Sequence, residues 1–86
     1  MTKKLRATVH TALQQLPTTN IKDTRNAHGP AVSFEMFGMS WEYGYDSTPK
    51  GEYTVAKTLK GILHMMLAKA ETRGLDPSRI YQAFKQ

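Results

Sequence analysis

Six side chains of this sequence have the type and spacing to meet a phosphate: Lys3, Arg6 and His10 in one segment, Lys57, Lys60 and His64 in another. Steps of three and four residues place such groups on one face of a helix. A row of cations can neutralise phosphates and release the counterions condensed on them. The plain alternative is a solvated helix face whose charges meet only water. The same residues argue against a metal: His10, His28 and His64 are far apart in sequence, and two of them stand among lysines and arginine. A metal site needs several convergent ligands, and neighbouring positive charge opposes another cation. No metal or cofactor is expected.

Catalytic signatures are missing from the chain. It contains no GxxxxGK, GxGxxG, HExxH or GxSxG segment, each of which encodes a definite phosphate-binding, metal-binding or nucleophilic geometry. Without a single cysteine there is no thiol nucleophile, thiolate metal site or disulfide framework. Glu35 and Glu42 fall on the polar side of a strand pattern, where paired carboxylates can act as acid and base. Nothing in the sequence predicts a cavity to shift their pKa values, and keeping a sheet face wet is sufficient reason for them. The expectation is a protein that is not an enzyme.

Aromatic residues crowd a short stretch: Phe34, Phe37, Trp41, Tyr43 and Tyr45. On an open sheet such rings stack nucleic-acid bases. Phe34, Trp41 and Tyr43, however, alternate in register with Val32, Met36 and Met39, which is the pattern of a core. Phe37 and Tyr45 are less constrained, and Met65 lies off the apolar stripe of its segment. These three residues, with the long polar segment 17–30, are the candidates for a protein partner.

The elements that hold these residues follow from periodicity. Leu5, Val9, Ala12, Leu13 and Leu16 recur at helical spacing, which predicts a helix over about 2–16, ended by Pro17. Segment 17–30 is polar and reads as a loop. Period-two alternation predicts strands over 31–37 and 39–46. With Phe37-Gly38 as a two-residue turn, Phe34 faces Trp41 and Val32 faces Tyr43, leaving one face apolar; a single strand bulged at Gly38 keeps the same facing. Asp46 to Gly51 is a turn signal, after which 52–55 can return as a third strand. Val55, Leu59, Ile62, Leu63, Met66, Leu67 and Ala70 define a second helix over about 55–73, with Thr54 as N-cap, Gly74 as left-handed cap and Leu75 as its apolar contact. Asp76-Pro77 then open a short helix over 77–85. Strands gathered between helices describe an α+β domain: a small antiparallel sheet of two or three strands flanked by an N-terminal helix, a long helix and a short C-terminal helix.

Charge follows the same division. The chain has 86 residues and a net charge of +5. Residues 1–30 carry five basic and one acidic side chain, 31–53 one basic and four acidic, and 54–86 six basic and two acidic. Two basic helical ends therefore enclose an acidic sheet. A hydrophobic content of 40% is that of an ordinary globular protein, and a chain this short buries a modest core that a partner or a second copy would reinforce. Segment 5–16 is interrupted by Arg6, His10, Gln14 and Gln15, so no secretion signal is read, and the run 62–68 is too short to span a membrane. A cytoplasmic protein is the expectation.

The order helix, strands, helix, with lysines early in the second helix, is distantly similar to that of double-stranded RNA-binding domains. The similarity is one of topology. Those domains carry a dense lysine cluster and a longer loop between their first strands, where this chain has only Lys50, Lys57 and Lys60 and the turn Phe37-Gly38. No binding residue is transferred on that basis. The leading expectation is a non-catalytic module that contacts nucleic-acid phosphates through its helical faces; the alternative is a protein–protein adaptor or inhibitor.

Overall fold

The structure, a computed structural model, describes residues 2–48 and 53–85. Helix α1 (Lys3–Gln14) is followed by strands β1 (Thr19–Asn26), β2 (Gly29–Met36) and β3 (Met39–Gly44), a short 3-10 turn at Tyr45–Ser47, and helices α2 (Val55–Ala70) and α3 (Pro77–Phe84). The strands form one antiparallel sheet in the order β1-β2-β3. This is the α+β arrangement that the periodicity predicts.

The β2–β3 hairpin has the register that keeps its faces pure. Phe34 pairs with Trp41, Val32 with Tyr43 and Glu35 with Ser40. Phe37 and Gly38 connect the strands with φ of 60° and 69°, the paired positive values that match a two-residue turn to strand twist. The bulged single strand is thereby excluded.

Two expectations are corrected. Segment 17–30 is no loop: β1 occupies Thr19–Asn26 and pairs along β2, with Asp23 opposite Val32 and Arg25 opposite Pro30. It escapes the alternation test because it is an edge strand exposed along most of its length, with Ile21 its one aliphatic side chain. Asn20, at φ 53°, takes the left-handed conformation where the register shifts between Thr19 and Lys22, a bulge at which asparagine is tolerated better than most residues. The hairpin turn is Ala27-His28, held by the Asn26 side-chain oxygen accepting from the His28 N–H at 2.8 Å. The order helix, strands, helix noted above thus has a short connection between its first strands also. The third strand lies before the hairpin; of the segment 52–55 expected to supply it, Tyr53 and Thr54 are not in a strand, and α2 begins at Val55. Residue 52, like 49–51 of the turn signal and Lys50 within it, lies outside the described residues.

Caps fall where the sequence puts them. Thr54 accepts from the Lys57 N–H, Asp76 from Ser78, and Gly74 turns at φ 67° so that the Leu75 N–H reaches the Ala70 carbonyl at 2.9 Å. Leu75 is buried behind it. One core forms from the apolar faces of α1, α2 and α3 against Val32, Phe34, Met36, Trp41 and Tyr43. The opposite sheet face carries Ser40, Glu35 and Glu42, all exposed; Glu35 accepts from Asn20 and Glu42 from Asn26, each at 2.8 Å. No described helix is long and apolar enough to cross a membrane.

Candidate nucleic-acid interface

Helix α2 buries Thr58, Ile62, Met66 and Ala70. At 3.6 residues per turn, Lys57, Lys60 and His64 fall within about 60° of one another on the opposite side, and all three are exposed. The chain then adds a second wall. Immediately after β3 the 3-10 turn brings Ser47 beside the helix, and among the described residues Ser47, Lys57, Lys60, Gly61, His64 and Met65 line a groove of about 580 Å³. None of them is acidic. The groove therefore joins two lysines and an imidazole to a thioether and a hydroxyl.

Gly61 has a structural role at the base of this wall. A Cβ at this position would stand 2.5 Å from the Tyr43 hydroxyl, which is buried and hydrogen-bonded to Thr48 Oγ1 at 3.1 Å. Burial pushes the Tyr43 phenol above its ordinary pKa, against the Thr48 contact. The absence of a side chain lets α2 approach β3 closely enough to set the groove.

The α1 residues belong to a different constellation. Arg6 Nε lies 3.4 Å and His10 Nε2 2.9 Å from the carboxylate of Asp23 on β1. The Tyr45 hydroxyl donates to the same carboxylate and sits 3.1 Å from His10 Nε2. Tyr45 and then His10 hold the Asp23 carboxyl below its usual pKa, through hydrogen bonds to its charged form. Burial, reinforced by the adjacent carboxylate, pushes the Tyr45 phenol up. Thr8 reaches the Tyr53 carbonyl at 3.4 Å just before α2, and Arg6 and His10 lie about 160° around the helix from it. They face the β1 edge of the sheet. Lys3 is exposed at the start of α1. The six residues singled out in the sequence thus form two groups, with Lys57, Lys60 and His64 together at the groove.

Of the residues considered for a protein partner, Tyr45 is 1% exposed and is a core residue. Its position just after β3 turns the ring inward, so the expectation of an available aromatic is corrected. Phe37 is half-buried with the Arg79 guanidinium 5.2 Å from its ring centre, and Met65 is half-buried at the groove. Sequence reasoning missed Asp23, counted only as a charge, and Ser47, whose place depends on the turn after β3. It also missed the contacts of Arg73, a cation suited to the end of the second helix, which lies 4.5 Å over the Trp41 ring and donates to the Ser40 carbonyl. Among the described residues, no group of three or more histidine, cysteine, aspartate or glutamate side chains converges to hold a metal. No protein-family model, curated protein or solved structure matches the chain.

Proposed function

We propose that this protein is a non-catalytic binding module of the cytoplasm that contacts nucleic-acid phosphates through the exposed face of α2. The observation that carries the reading is the alignment of Lys57, Lys60 and His64 along one groove, with no acidic side chain among its described lining residues. Two lysines on neighbouring turns offer point charges to successive phosphates, and the exposed imidazole and Ser47 hydroxyl add hydrogen-bond donors. Arg6 and His10 share the Asp23 carboxylate at the β1 edge and stand apart from the residues that line this groove. Lys3 remains an accessory contact. Backbone contacts of this kind give affinity with little base preference.

The adaptor reading rests on β1, an exposed edge strand that can add a further strand from another chain or a second copy. Its charged residues Lys22, Asp23 and Arg25 are of the kind that discourage such pairing, which favours the first reading. Amide chemical-shift mapping during titration with an oligonucleotide distinguishes them. The phosphate reading expects the largest shifts at Ser47, Lys57, Lys60 and His64; shifts confined to residues 19–26 would move the nucleic-acid contact to the β1 edge, and an oligonucleotide that shifts nothing would leave the adaptor reading.

A further inference from the structure

Resting on the reading of the α2 face as a phosphate-contact surface, we propose that the groove beside it takes an unpaired nucleotide, its phosphate against Lys57 and Lys60 and its base against Met65 and Gly61. A row of lysines on a convex helix serves a duplex as well as a single strand. This row is one wall of a concavity. Its volume of about 580 Å³ falls among small-molecule sites, which run from about 300 to 1,000 Å³.

The lining matches one nucleotide in chemistry as well as size. Lys57, Lys60 and His64 span about 10 Å along the helix, and Gly61 and Met65 flank that polar row with an apolar surface. A thioether makes favourable contact with aromatic rings, and an imidazole can stack on a base. In a duplex the bases are paired and stacked inward, so a duplex touches the lysines and leaves Met65 wet. An unpaired nucleotide supplies both the anion and the flat ring. Met65 is half-buried: it packs against the edge of the core and lines the groove, so it is held in place before a ligand arrives.

The test is fluorescence anisotropy of the full chain with three probes of equal length: a single-stranded oligonucleotide, its duplex, and an abasic single strand. The single strand is expected to bind about tenfold more tightly than the other two, within what base stacking contributes at protein surfaces. Met65→Ala, checked for folding by circular dichroism, should weaken the single strand by about two- to tenfold and leave the abasic strand unchanged. Equal affinity for the abasic strand, or preference for the duplex, overturns the proposal while leaving the phosphate reading intact. Binding to none of the three overturns both.

Discussion

Asp23 shows how one residue can tie an exposed strand to the rest of the fold. It stands on β1, a strand with almost no apolar anchor, and receives the Tyr45 hydroxyl, His10 and Arg6. Its side chain is 41% exposed, so the ionic part of these contacts is weakened by water and the hydrogen bonds carry most of the effect. Asp23→Asn and Tyr45→Phe should each lower stability by about 1 kcal/mol in urea unfolding at neutral pH. The pH dependence has two signs. Because the folded state lowers the Asp23 pKa from 3.8, its contribution is present above that value and is lost as pH falls through the folded pKa. Because the folded state raises the Tyr45 pKa from 10.0, that contribution is complete below pH 10.0 and is lost as pH rises towards the folded pKa. Asp23→Asn should therefore flatten the acid limb of the stability profile. An unchanged acid limb would mean that Asp23 is not its source.

At the scale of elements, the critical contact is α2 against β3 through Gly61. Gly61→Ala would ordinarily gain helix propensity of about 1 kcal/mol. Here the new methyl meets the Tyr43 hydroxyl, whose ring is buried and whose oxygen is held by Thr48. Net destabilisation of about 1–3 kcal/mol is expected. Removing the oxygen with Tyr43→Phe should reduce the cost of Gly61→Ala, a coupling that a double-mutant cycle reads directly. Independent, additive effects would show that the helix is not seated on that hydroxyl.

The elements also show what periodicity can and cannot disclose. The facing of residues 32–43 was legible because one face is buried, and the two-residue-turn register is the one observed; alternation could not separate that hairpin from a strand bulged at Gly38, which the Phe37-Gly38 turn decides. The helices and their caps were legible because Thr54, Gly74 and Asp76 act locally. Strand β1 was not, since pairing with β2 holds it in place and its side chains stay in water. The stripe Lys57, Lys60 and His64 could be read from helical spacing alone. The groove could not, because Ser47 joins it only through the turn that follows β3. Tyr45 looked available for the same reason: the sequence does not state that the chain turns inward after Gly44.

For the whole molecule, the net charge of +5 is less informative than its placement. Arg6 and His10 face a carboxylate at the β1 edge, while Lys57, Lys60 and His64 line the groove. The basic residues of the two ends thus lie in different surroundings, and the central claim is that α2 carries the binding. The direct measurement is a salt titration of oligonucleotide affinity for the wild type, Lys57→Ala/Lys60→Ala and Lys3→Ala/Lys4→Ala, all of which change exposed residues of helix faces. The account predicts that the α2 pair weakens binding and reduces the slope of log affinity against log salt by about 0.7–0.9 per lysine, with a smaller change for the α1 pair. Equal losses from both pairs, or an α2 pair that binds like the wild type, would contradict it.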